Sequence, residues 1–407
     1  MKRILIGALF ALPALTAMAG DFTASLSIAP EWRTDNRDSA YFVAPPVVPV
    51  QHRSARQDLG LRFRDGGFNA QGTLRVLARE GQTPEQHGIV NQFYYDGDLG
   101  NGSGYTFGRK VISWGVGFGF RPLDVIQRED RRSLNPPPLT GVPLAAWEHF
   151  SADKAFTLVW THPGHRHEAT DFRDQSLAAR YYRLVDGNDI HAVARLSGRH
   201  ALEAGAGITH TSGEEWAFHA AALYQQRYSK TFNTLAESGG GILAAANPMQ
   251  EVMRRNGLKA VLGSQWTGTS GFGVLVEAWY DAEGYSRNEW RRLDALTARQ
   301  RSLNGMAPAS AINGNVAWSS RAFERPNLLR ENLLLRLSHD DERWKPALEL
   351  LVTPRDGGRV ITTRLEYQSD RQRVSFGLRF LGGAADSAYA QAPIKRMAYF
   401  EWRLALL

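Results

Sequence analysis

Over its last eighty residues the chain alternates apolar and polar side chains almost without a break. Val374, Phe376, Leu378 and Phe380 interleave with Arg373, Ser375, Gly377 and Arg379; Ala398, Phe400, Trp402, Leu404 and Leu406 interleave with Tyr399, Glu401 and Arg403. A period of two means a β-strand with two unlike faces. A strand apolar on one side and charged on the other fits the wall of a barrel with lipid outside and a wet lumen inside.

The same pattern runs through the 407 residues, so one large barrel over 20–407 accounts for the chain better than several soluble domains. Residues 1–19 read as a signal peptide. Lys2 and Arg3 supply the positive region, Ile4 to Leu15 the apolar region, and Ala17-Met18-Ala19 the small-residue cleavage site, so the mature chain is expected to start near Gly20. That apolar run is too short to span a bilayer, and no other run approaches the roughly 18 residues a membrane helix needs. Cysteine is absent, which excludes disulfides and thiolate metal sites. The net charge of +7 resides in arginines at alternate strand positions rather than in runs, so no nucleic-acid partner is expected. A soluble β-sandwich would not carry charge on alternate residues around its whole sheet, because its two sheets share a dry core.

Turn residues divide the chain into about 18 strands, giving an all-β, transmembrane antiparallel barrel. Tight turns are expected at Asp65-Gly66-Gly67, Ser151–Lys154, Asp186–Asp189, Ser212–Glu215, Gly268–Gly271, Asp340–Arg343 and Ser369–Gln372. The fourth and fifth strands fall near Ile89–Tyr95 and Tyr105–Ile112. The long connections, Asp35–Arg53, Ser113–Thr140, Ser229–Gly257 and Ala282–Asn327, all lie in the other set. Short periplasmic turns at one rim and long extracellular loops at the other are how outer-membrane barrels are built. Within the loops, Trp290, Leu293 and Leu296 predict a helix over Asn288–Leu303, and Pro248–Asn256 reads as a shorter one.

The stretch from Gly108 to Asp124 is the most distinctive: a strand ends in a glycine-rich, aromatic turn, and a proline run, Pro136-Pro137-Pro138, follows. It resembles a segment of outer-membrane porins and alginate-export-like barrels in Gly108, Arg109, Trp114, Gly115, Gly117, Pro122, Leu123 and Asp124. Lys110 stands where that pattern has Gln, and Arg121 where it has Asn before Pro. The resemblance covers about twenty residues and implies an outer-membrane location and a loop that folds into the lumen. On that reading 113–140 is a constriction loop, with Trp114, Arg121, Asp124, Arg128, Arg131 and Arg132 at the narrowest part.

Strand parity assigns the lumen face. Arg62, Arg75, Arg180, Arg195, Arg336, Arg364, Arg373, Arg379 and Arg403 are expected to line the pore, with His191, Lys259 and Arg330 beside them. Asp58, Glu203, Glu277, Glu349, Glu366 and Glu401 share that face, so basic groups predominate and the wall is expected to favour anions. Arginines Arg364, Arg379 and Arg403 read as neighbours without a local acid. The alternative for any one of them is a brace to a carboxylate on the next strand. His162, His165 and His167 have a spacing that could converge on a metal, and His339, Asp340 and Asp341 fall in a turn with ordinary turn chemistry. Neither supports an enzyme, and no cofactor is implied.

The sequence therefore reads as a passive outer-membrane channel for small polar or anionic solutes, with export of an acidic polysaccharide as a variant. The alternative is a plugged structural or surface-binding barrel. Outer-membrane lipid and the barrel assembly machinery are the expected partners. The outward small residues Ala204, Ala206, Ala220 and Ala222 would suit a contact between subunits.

Overall fold

A computed structural model describes residues 20–45, 51–130, 132–163 and 174–406. The signal-peptide reading, Arg131, His165 and His167 lie outside the described residues. The chain forms β1 (Asp21–Asp35), β2 (Arg53–Asp65), β3 (Phe68–Arg79), β4 (Glu85–Gly100), β5 (Ser103–Lys110), β6 (Val142–Phe150), β7 (Lys154–Thr161), β8 (Ser176–Val185) and β9 (Asn188–Ser197). It continues with β10 (Ala201–Ser212), β11 (Trp216–Asn233), β12 (Met249–Thr267), β13 (Phe272–Asp281), β14 (Glu331–His339), β15 (Trp344–Thr353), β16 (Gly358–Gln368), β17 (Gln372–Gly383) and β18 (Ile394–Ala405). Each strand pairs antiparallel with the next, and β1 pairs with β18, so the 18-stranded sheet closes on itself and has no edge.

The register puts the apolar set outside. Phe376 stands opposite Phe400 on β18 and Leu365 on β16, and all three are exposed on the outer wall. Near the short-turn rim the aromatics gather into a girdle: Trp216 stacks on Phe218, Trp266 meets Phe272, and Trp344 meets Tyr367.

Two expectations fail at the long-loop rim. The Ser229–Gly257 connection is shorter than expected, spanning only 234–248: β11 runs to Asn233 and β12 starts at Met249, with Asn233 opposite Met249. The segment Pro248–Asn256 is accordingly strand from Met249 onward, not helix. Its alternation continues in polar side chains, because a ladder standing clear of the hydrocarbon needs no apolar face. The short helix lies just before it, α1 (Thr234–Ser238), capped by the Asn233 side chain. The β13–β14 connection holds α2 (Arg287–Ser302) and α3 (Ala309–Ser320). A capping box between Ser286 and Glu289 starts α2, which buries Trp290, Leu293 and Leu296.

The inner face is not polar throughout. Leu223, Val261, Leu275, Leu334, Leu351 and Val360 point inward from β11–β16 and are nearly fully buried. They form one apolar cluster with Trp114, Leu123, Val125 and Ile126 of the β5–β6 loop and with the helical loop. A loop resting on the wall takes those positions out of water, so an apolar side chain is favoured there.

Candidate functional site

The β5–β6 loop makes its own turn before it touches the wall. The Asp124 carboxylate accepts N–H bonds from Trp114 and Gly115 at 2.6 and 2.7 Å and a bond from the Ser113 hydroxyl. Burial pushes this carboxyl up, opposed by those two N–H groups. Arg121 closes the same turn, donating to the Gly117 carbonyl and the Ser113 hydroxyl. Leu123, fully buried, lies on the bare backbone of Gly205 on β10, where a Cβ would sit 2.8 Å from Leu123 Cδ2.

From there the loop crosses the lumen. Phe118 N and Gly119 N donate to Glu277 on β13, and the Phe118 ring lies 4.8 Å from the Arg336 guanidinium on β14. Arg128 forms a two-pronged pair with Glu283, at 2.5 and 2.7 Å. Further round the wall Arg379 donates to the Arg132 carbonyl at 2.6 Å, Arg364 to the Leu134 carbonyl at 3.2 Å, and Arg56 to Asn135. The loop, which leaves from β5, is thus tied to β13, β16 and β17 and, past the β1–β18 seam, to β2.

The helical loop caps the same half of the barrel. Tyr41, from the β1–β2 connection, packs on Trp290 and Phe323, and Arg301 donates to the carbonyls of Ala40 and Phe42. Lys230 on β11 donates to Glu289 at 2.8 Å and to the Gly284 carbonyl at 2.6 Å. Among the described residues, cavities of about 660 and 420 Å³ lie beside the β5–β6 loop. Asp130, Arg132, Glu324, Arg325 and Pro326 line both.

The arginines assigned by parity divide into three groups. Arg75 pairs with Asp58, Arg195 with Asp174 and Glu203, Arg336 with Glu349, Arg373 with Glu366, and Arg403 with Glu401, so carboxylates take up these arginines: the first four brace neighbouring strands and Arg403 pairs along β18. Arg364 and Arg379 hold the loop instead of facing open water. Arg62, on the face shared with Thr23 and Gln71, is exposed, while Arg180 is half-buried with a guanidinium nitrogen 3.1 Å from His191. The expected Arg379–Arg403 neighbourhood is wrong: Arg379 stands opposite Thr362 and Met397, and Arg403 stands opposite Arg373. Within the loop Trp114 is core rather than lining, Arg121 closes the turn, and Arg128, Arg132 and Asp124 line the larger cavity. Among the described residues no group of three or more His, Cys, Asp or Glu could hold a metal ion.

Sequence reasoning missed Glu283, which receives both Arg128 and Lys259, because it lies past the end of β13 where parity no longer applies. Burial raises its carboxyl, but Arg128 and then Lys259 outweigh burial and hold it far below the usual range. Glu289 behaves alike: burial raises it, the bonds from Lys230 and the Ser286 N–H prevail, and it falls from 4.5 to about 2. Both carboxyls are depressed, so their contribution to holding the helical loop is complete above 4.5 and is lost as pH falls toward 2. The denaturant midpoint of the helical circular dichroism signal should therefore be flat from neutral pH to about 5 and drop below it. A midpoint that stays level down to pH 2 would remove these pairs from the hold on the loop.

No family model and no curated protein matches this sequence. Solved structures do match its fold. Acinetobacter baumannii OccAB1 superposes with a TM-score of 0.56 at 8% identity, over 95% of this chain and 96% of that one. Pseudomonas aeruginosa OccK8 (OprE) superposes with a TM-score of 0.53 at 10% identity, over 95% and 99%. Both are similar to this chain in architecture from end to end.

Proposed function

We propose that this chain is an outer-membrane channel for the passive passage of small polar solutes, with a modest preference for anions. The observation that carries this reading is a loop tied across the lumen, with two cavities beside it lined by charged side chains. An apolar outer belt with aromatics at one rim supports an outer-membrane location, and so does the likeness in fold to OccAB1 and OccK8.

Charge favours anions only locally. The larger cavity has six basic residues (Arg121, Arg128, Arg132, Lys259, Arg321, Arg325) against seven acidic (Asp124, Glu129, Asp130, Glu251, Asp281, Glu283, Glu324). The smaller has Arg33, Arg132, Arg325 and Arg379 against Asp130, Glu324 and Glu349. Nearer the short-turn rim Arg62 is exposed and unbalanced on its rung, while Arg373 and Arg403 stand opposite each other and are offset by Glu366 and Glu401. Neutralising Arg373 and Arg403 together, both to Gln, should reduce the anion preference read from reversal potentials in planar bilayers, with conductance nearly unchanged. Arg379 is unsuited to this test because it also seats the loop.

Export of an acidic polysaccharide would require the tied loop to give way to a polymer, so small solutes fit better. The second reading, a plugged structural or surface-binding barrel, rests on the apolar cluster that joins both loops to the inner wall. Single-channel recording of purified protein separates the two: discrete conductance steps support the channel, and a silent bilayer supports the plug.

A further inference from the structure

One rung of the inner wall has a construction that bracing does not require. His219 on β11, Gly263 on β12 and Glu277 on β13 stand opposite one another and face the lumen. Neighbouring strands lie about 4.8 Å apart, so the outer two residues are roughly 10 Å apart. The imidazole reaches across the side-chain-free glycine, its Nε2 donating to Glu277 Oε1 at 2.7 Å. A Cβ on Gly263 would lie 2.4 Å from His219 Nε2 and 2.7 Å from Glu277 Cγ, so only glycine leaves this path open. The remaining partners of the carboxylate come from the loop: Phe118 N donates to Oε1, and Gly119 N to Oε2 at 2.6 Å. Glu277 is fully buried beneath them.

We propose that the His219–Gly263–Glu277 rung is the catch that fixes the tip of the β5–β6 loop and so sets the aperture of the lumen. A carboxylate out of water makes its strongest bonds to N–H donors, and two consecutive backbone N–H groups give it a docking point that side-chain motion cannot release. The imidazole supplies the third donor and holds the carboxylate turned toward the loop. Glu277 and His219 are positioning residues, acting through the loop and not on the solute. The aperture clause rests on the channel reading; the catch does not.

The chain has no cysteine, so Leu123→Cys places a single thiol reporter four residues beyond the docking point, at a fully buried site. The experiment compares maleimide labelling of this thiol in folded protein with Glu277, with Glu277→Gln, and with Gly263→Ala. Gln keeps the volume but removes the charge and one acceptor; Ala keeps the carboxylate but blocks the imidazole. Labelling should quicken roughly tenfold or more with Gln and measurably with Ala, and Glu277→Gln channels should be larger and noisier. Labelling at the original rate in both variants would overturn the proposal. So would a Glu277→Gln channel that only gains anion preference, since Glu277 would then be a fixed charge and nothing more. Heat-modifiable gel migration reports whether each barrel is closed, and if Glu277→Gln does not close, Gly263→Ala and His219→Gln decide the matter. If the original protein passes no current, the channel reading fails while the labelling still tests the catch.

Discussion

Phe376→Arg will cost the barrel about 2–4 kcal/mol of folding free energy, and Ser375→Arg, one position earlier, far less. Phe376 sits in the outer belt between Leu365 and Phe400, where an arginine near the middle of the hydrocarbon finds no partner. Ser375 faces the interior and is nearly fully buried, not open to lumen water as strand parity alone suggests. Its rung neighbours are Glu366 and Glu401, so an arginine there meets two carboxylates. Urea titrations in lipid vesicles, scored by the heat-modifiable band, give both midpoints. Equal midpoints would mean that the two faces of β17 have been exchanged.

Deleting Arg128–Leu139 will raise single-channel conductance severalfold and flatten ion selectivity while the barrel still assembles. The deletion removes the groups that tie the loop to Glu283, Arg379, Arg364 and Arg56. Its stumps need little rearrangement, because the Gln127 side chain already donates to the Thr140 carbonyl at 2.9 Å. Fixed charges matter most at a narrow point that water screens poorly. Unchanged conductance would place the limiting section elsewhere, with the helical loop the next segment to shorten.

The wall was legible in the sequence because a closed barrel imposes a period of two on every strand and a tight turn at every second connection. The strand count and the turns at Asp186–Asp189 and Ser212–Glu215 follow from those rules. What the loops do to the wall was not legible. Parity made the lumen polar, yet Leu334 points inward between the outward Leu333 and Leu335. Three leucines in succession are the trace such a buried patch leaves, since both faces of the strand lose contact with water. Helix α3 escaped notice because Asn313, Gly314, Asn315 and the serines are weak helix formers, held helical by packing of Ile312 and Val316. The ends of β11 and β12 were missed because a ladder outside the membrane has no apolar alternation to read. Of the candidate site, parity found the wall arginines, but it could not distinguish a brace from a loop seat. That distinction depends on a partner more than two hundred residues away, as with Arg379 and Arg132.

That separation governs the order in which the molecule can be made. The loop leaves the wall after β5, yet its seats belong to β13, β16 and β17, far later in the chain, and to β2 across the seam. Contacts between residues so distant in sequence are slow to form, because the chain must lose much freedom before they contribute. The loop can finish docking only as those later strands take their places beside it. A barrel that closes with the loop left outside would have to loosen its wall to take it in, so inward capture must run alongside closure.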